Sequence, residues 1–294
     1  MSAAVRTLAL SSARAHRVSL RRRATASAMA LLLGAATLLA ALLLIVIFGF
    51  VVVRGLPALD LAFFTDRPKP FGVEGGGVAP ALLGTLEMGA IAALVAVPIG
   101  IAAAVFASEY RSGRWAGVVR FCAELIAGLP SVAVGVFVWA FLVRGVIGNY
   151  SGLAGAMALA VIMVPIVART VEEVLRLVPS GLREAGLALG APRWRVIMQI
   201  VLPTARAGIV TAVVLAVARA AGETAPLLLT ALGNLFFNFD PLRPMAALPL
   251  QIYQYAVSPY DDWHTKAWGS SLVLVAVITV LAAGLRIATR SRVR

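Results

Sequence analysis

A chain of 294 residues that is 61% hydrophobic and only 13% charged, with a mean hydropathy of +0.94, has too few polar groups to cover an aqueous surface. An ordinary soluble domain is therefore excluded, and the main solvent is lipid. The formal net charge of +13 would point to nucleic acid in a soluble protein, but here the basic residues alternate by loop, a sign of membrane topology.

A helix needs about 20 apolar residues to cross the hydrocarbon core. Candidate spans fall near 29–53, 80–107, 118–143, 152–171, 208–231 and 267–287. The expected fold is all-α, a polytopic six-helix bundle over 29–287. An Arg-rich tail, 1–28, precedes it and a basic C-terminus, 288–294, follows.

Arg6, Arg14, Arg17 and Arg21 to Arg23 lie in the tail, and Arg111, Arg114 and Arg120 in the 108–120 loop. Arg169, Arg176, Arg183, Arg193, Arg195 and Arg206 lie in the 169–206 loop, and Arg286, Arg290, Arg292 and Arg294 at the C-terminus. The other loops carry only Arg54, Arg67, Lys69, Arg144, Arg243 and Lys266, with most of the aqueous acids. The positive-inside rule makes the first set, and both termini, cytoplasmic. An even helix count requires the same.

The tail has no sustained apolar face and is expected to lie near anionic headgroups. The first apolar stretch follows arginines, as a signal peptide would, but it is about twice the usual hydrophobic length and lacks an obvious small-x-small cleavage site. It is expected to be a retained helix. Loop 54–79, with Pro57, Pro68, Pro70 and Gly75 to Gly77, has turn chemistry. Its glycine run is not a phosphate cradle, since no strand precedes it.

Span two carries Thr85 and Glu87 near its outer end and Pro98 in its middle, where a kink is expected. Glu87 either faces the bundle interior or sits shallow at the interface. Glu124, just before Gly128-Leu129-Pro130-Ser131 in span three, poses the same choice near the cytoplasmic end. Cys122, the single cysteine, makes no intrachain disulfide and is expected to pack as a small residue. Gly84, Gly89, Ala92 and Ala93, and then Gly152, Gly155 and Ala156, are small residues that let helices approach closely in lipid.

Polar residues return in 184–203, which contains Glu184, Arg193, Arg195 and Gln199 and is punctuated by Gly186, Gly190, Pro192 and Pro203. It reads as two short helices outside the bilayer, with Gly190 as a stop and Pro192 as a first helical residue.

Span five holds Ala218-Arg219-Ala220-Ala221-Gly222-Glu223-Thr224-Ala225-Pro226. Arg219 and Glu223 stand i and i+4 on one helical face. Counting from Gly208 puts Arg219 roughly 17 Å into the membrane. Pro226 disturbs the helix at the carbonyl of Gly222. The pair is either structural or an anion site. Buried ion pairs are poor sources of net stability, and a guanidinium fork suits tetrahedral oxyanions. Glu223 repels a dianion unless it is protonated; if ionised, it can accept the proton of hydrogen phosphate, a basis for distinguishing that anion from sulfate. Arg219, Glu223 and Thr224 are therefore the candidate substrate residues.

The outer segment 232–266 gathers Phe236, Phe237, Phe239, Tyr253, Tyr255, Tyr260 and Trp263 next to Trp268, which predicts an interfacial or re-entrant piece. The only lysines, Lys69 and Lys266, are followed by Pro70 and Ala267, so no G-x-x-x-x-G-K-[ST] loop binds ATP here. His16, His264 and one cysteine make no zinc set, and no catalytic triad is plausible at one depth.

Segment 184–203 resembles the EAA loop of ABC-importer permeases: Glu-Ala-Ala, three residues, Gly, nine residues, Ile, one residue, Leu-Pro. Glu184, Ala185, Gly190, Ile200, Leu202 and Pro203 match in register, with Gly186 in place of the second Ala. Gly128 to Ser131, Ala218 to Leu228, and Leu248-Pro249 followed by Ile252-Tyr253 resemble the phosphate-specific, PstA-like permeases. The resemblance runs from about the second span to the C-terminus.

It implies a six-helix type I importer permease that imports inorganic phosphate at the expense of ATP, in the bacterial inner membrane. It further implies a second homologous permease, a cytoplasmic ABC ATPase dimer carrying ATP and Mg, and an extracytoplasmic phosphate-binding protein. The loop at about 172–206 would dock on the ATPase. No cofactor is expected in this chain, and its other contacts are with membrane lipid, not nucleic acid. Competing readings are import of another oxyanion or a phosphonate, a secondary anion transporter, which should show inverted repeats, and a membrane enzyme acting on lipid phosphates.

Overall fold

A computed structural model describes residues 3–70, 72, 73, 75–110 and 113–290; Arg111, Arg292 and Arg294 lie outside them. Contacts divide the chain into two units, 1–53 and 54–294. The first is formed by α1 (Ala3–Gly55), a single helix that also takes in the residues expected as a tail. Ala, Leu and Arg are strong helix formers, and no Gly or Pro occurs before Gly34. Thr25–Ala58 is long and apolar enough to cross a membrane.

In the second unit a short α2 (Leu61–Thr65) leads to α3 (Ala79–Glu109), which runs unbroken through Pro98. The third expected span is two helices, α4 (Arg114–Ala127) and α5 (Ser131–Val138), the latter continued by a π-helical stretch, Trp139–Ile147. They are bent by 101° at Gly128-Leu129-Pro130. Pro130 bars Leu129 from helical backbone, which ends α4 there. Next comes α6 (Gly152–Arg176), capped by Ser151 Oγ accepting from Ala154 N at 3.1 Å.

After α7 (Ser180–Ala188), a helical run goes from α8 (Arg193–Val196) through a π turn, Ile197–Val201, into α9 (Leu202–Ala221). The fifth span thus starts at Arg193, well before 208, and stops at Ala221. The chain ends with α10 (Ala225–Thr230), α11 (Leu248–Ala256) and α12 (Asp261–Arg290). Among the described residues five helices are long and apolar enough to span, and the bent pair brings the number to as many as six.

The main core joins α3, α6 and α9 and is built largely of small residues: Ala92, Ala96, Ala156, Ala160, Ala212 and Ala216 are all buried. In lipid such packing rests on close backbone approach rather than on an aqueous hydrophobic drive. At Gly100 an added Cβ would stand 2.7 Å from Val167 Cβ, and at Gly155 2.9 Å from Met88 Sδ. A second core of Phe63, Val78, Leu248, Tyr255, Trp263 and Ala267 joins α2, α11 and the start of α12. Thr85 ties it to α3 by accepting from Leu248 N at 2.7 Å.

The aromatic outer segment divides: Tyr255 and Trp263 are buried with ring centroids 4.7 Å apart, whereas Phe236, Phe237 and Phe239 are exposed. Gly77 belongs to the packing of this region, because an added Cβ would run into the carbonyls of Ala62 and Phe63. Cys122 is exposed and does not pack inside.

Candidate functional site

Arg219 sits near the end of α9, and Glu223 lies in the three-residue break before α10. Arg219 Nε is 3.8 Å from Glu223 Oε1, a loose pair, with the Arg side chain 63% exposed and the Glu side chain 16%. The break follows from Gly222 and Pro226. Gly222 and Glu223 bond back only three residues, to the carbonyls of Arg219 and Ala220, and the helix restarts when Leu228 N donates to Thr224 O. Thr224, half-buried, is the residue preceding α10.

This break lies beside a second one. Gly135 of α5 packs against Pro226, where an added Cβ would be 2.8 Å from Pro226 Cα. The Gly128-to-Ser131 and Gly222-to-Pro226 stretches, separate in sequence, thus start two short helices that touch. Non-helical backbone at membrane depth is tolerated only where it is buried in protein or lines a cavity. A cavity of about 260 Å³ between α3, α9 and α12 is lined on the α9 side by Val214, Val217, Ala218 and Ala221, a different face from Arg219. Its walls are apolar apart from Thr85, so it offers nothing to an anion.

In the EAA-like segment, Glu184 and Ala185 are exposed on α7, and Gly186 is buried. An added Cβ at Gly186 would meet Ile200 Cδ1 at 2.8 Å and Val196 Cγ2 at 3.0 Å. The glycine standing where the motif has Ala therefore lets α7 close on the π turn that carries Ile200. Gly190 has φ +80, which stops α7, and Pro192 is the cap just before α8. Leu202 and Pro203 open α9 within the same helical run. Leu182, Leu187, Leu189 and Trp194 are exposed, a row of apolar side chains on a polar segment.

Around this segment the structure assembles a charged cluster that sequence reasoning missed. Glu172, 4% exposed, accepts from Arg120 Nε at 2.6 Å and Arg176 Nη2 at 2.5 Å. Glu109 accepts from Arg183 Nη2 at 2.8 Å, and Glu124 pairs with Arg169. The available signal was carboxylates at span ends among loop arginines. Glu87 is half-buried on α3 and is not part of this cluster.

The model of the family "Binding-protein-dependent transport system inner membrane component" matches residues 96–291. A phosphate transport system permease protein PstA of Pasteurella multocida is 42% identical over 232 residues, covering 79% of this chain and 82% of the relative. The same-named protein of Haemophilus influenzae is 42% identical over 241 residues, 82% and 83% of the two chains. Among solved structures, an inward-facing MetNI methionine ABC transporter is similar with TM-score 0.61 and 22% identity, covering 74% of this chain and 95% of that one. That likeness concerns the fold. Five or six apolar spans and this family place the chain in the bacterial inner membrane as a multi-pass protein. On the family match and on relatives above 40% identity over about four-fifths of its length, the chain belongs to the binding-protein-dependent inner-membrane components, within the phosphate-specific, PstA-like family of ABC-importer permeases.

Proposed function

We propose that this chain is the permease subunit of an ATP-driven importer of inorganic phosphate, and that Arg219, Glu223 and Thr224 form its contribution to the translocation pathway. The observation that carries the substrate is the 42% identity, over 79% of the chain, to a phosphate permease. The exposure of Arg219 supports the pathway. A guanidinium 63% exposed on a spanning helix cannot be left facing hydrocarbon; it needs water or a facing subunit. A second homologous permease would supply that face. Both termini lie in the cytoplasm, as the arginine distribution indicates.

The EAA-like residues Glu184, Ala185, Gly190, Ile200, Leu202 and Pro203 form the coupling loop, and its exposed Leu187, Leu189 and Trp194 suit an apolar groove on a partner. ATP and Mg are held by the cytoplasmic ATPase dimer, and an extracytoplasmic phosphate-binding protein delivers substrate.

The test is labelled phosphate uptake by the complex reconstituted with its ATPase and binding protein. The unmodified complex should accumulate phosphate. Arg219→Gln should lower uptake by about a hundredfold, the scale of losing a charge-assisted contact, while ATP hydrolysis persists. Unchanged uptake by this variant would remove Arg219 from the pathway.

A further inference from the structure

We infer that Glu109 is the positioning residue through which movement of the coupling loop enters the helix bundle, an inference that rests on the coupling role proposed above. Glu109 ends α3, and its side chain is 7% exposed. Arg183, in α7, donates to its carboxylate from Nη2 at 2.8 Å and Nε at 3.1 Å. The same guanidinium donates from Nη1 to Val178 O at 2.7 Å and from Nη2 to Leu175 O at 2.8 Å. One side chain of the loop therefore holds the C-terminal ends of α3 and α6 together.

The other limb of the loop reaches the same place. Arg193, which opens α8, donates from Nη2 to Glu109 O, and its guanidinium lies 4.6 Å from the centroid of the Tyr110 ring. The α7 limb is thus fastened to Glu109 and the α8 limb to Glu109 and Tyr110, and only the short turn around Gly190, with φ +80, separates the two limbs.

A planar guanidinium fork fixes direction as well as distance, and a satisfied network away from water is stiff. The pair is a poor source of net stability, since desolvating both charges offsets their attraction. Its chemical fitness is for holding a geometry. When the partner ATPase displaces α7, α3 and α6 move with it as one body, the manner in which packed elements pass on a rigid-body shift.

The experiment uses the complete reconstituted complex in proteoliposomes and reads labelled phosphate moved per ATP hydrolysed, together with ATPase co-purification. Glu109→Gln should leave assembly and hydrolysis intact and lower the ratio about tenfold, the scale of a coupling free energy between sites. Glu109→Asp, which keeps the charge, should recover part of the loss. The double variant E109Q/R183Q should be no worse than the worse single variant, because the two side chains act as one contact.

A ratio within about twofold of the unmodified complex in an assembled Glu109→Gln complex, below the usual coupling range, overturns the proposal. So do losses that multiply in the double variant. If Glu109→Gln fails to assemble, Arg183→Lys decides. A single ammonium keeps the charge but cannot hold Glu109, Leu175 O and Val178 O in a fixed fork, so a normal ratio overturns the proposal and a lowered one supports it. If the unmodified complex moves another anion and not phosphate, the substrate reading fails on its own, and the ratio is then measured with that anion.

Discussion

Gly84 and Gly89 lie on one helix and read alike in the sequence, as small residues that permit close approach. Their surroundings differ completely. A Cβ at Gly84 would collide with the backbone carbonyl of Ala246, whereas Gly89 has nothing within 4 Å. A carbonyl fixed in the outer segment cannot move aside as a side-chain tip can. Gly84→Ala should therefore cost about 1–3 kcal/mol as an overpacked contact, and Gly89→Ala should stay within about 0.5 kcal/mol of the parent. Thermal unfolding of the two purified variants in detergent checks this, and equal midpoints would refute the assignment of Gly84 to a close contact. Ion pairs follow the same logic at this scale. Glu124 was a single acid with two readings until Arg169 appeared opposite it, and no local spacing announces a partner 45 residues away.

Among elements, the helix breaks are the informative features. Pro226 and Gly222 predicted the disturbance at 222–226, and the helix is interrupted there, whereas the break at 128–130 was expected as the interior of one span, although Gly128 and Pro130 carry the chemistry that makes it. The π turn over Ile197–Val201 and the merging of the loop with the fifth span were not legible, since a register shift leaves no mark in composition. The outer segment shows a similar limit. Period and composition gave an aromatic interfacial piece, but they could not say that Tyr255 would be only 1% exposed.

Burial pushes the Tyr255 phenol up to about 12, with the hydrogen bond to Gln251 pulling in the opposite direction and the charge of Asp262 adding to the rise. The sign follows from linkage. Between about pH 10 and 12 the unfolded tyrosine has lost its proton and the folded one keeps it, so stability falls as pH rises through that window and is unaffected below it. The loss should be on the order of 2 kcal/mol at pH 12, and Tyr255→Phe should abolish this component. Fluorescence-monitored unfolding from pH 8 to 12 tests it, with Trp263 packed against the Tyr255 ring as a natural reporter. Identical alkaline slopes for parent and variant would contradict it.

For the whole molecule, the proposed function requires a loop outside the bilayer to act on a site near the helix break at 222–224. The run from Arg193 to Ala221 joins the two directly, because the second limb of the loop and the spanning helix are one continuous helical element. Gly190 is the hinge of that arrangement, and a β-branched residue is strongly disfavoured at φ +80. Gly190→Val should keep ATP hydrolysis but reduce phosphate moved per ATP about tenfold, as read by parallel uptake and hydrolysis in proteoliposomes. Tight coupling in this variant would contradict the hinge.

The sequence by itself determined the solvent, the helical class, the alternation of basic loops, the EAA register and the Arg219–Glu223 pair. These depend on composition, short spacings and local backbone chemistry, which act within a few residues. Only the tertiary structure decided that α5 and α10 touch at Pro226, that Arg120 reaches Glu172, and that Arg183 and Arg193 converge on Glu109. Such meetings depend on how helices cross in lipid. There, packing of small residues sets the angles and no hydrophobic periodicity records which faces adjoin.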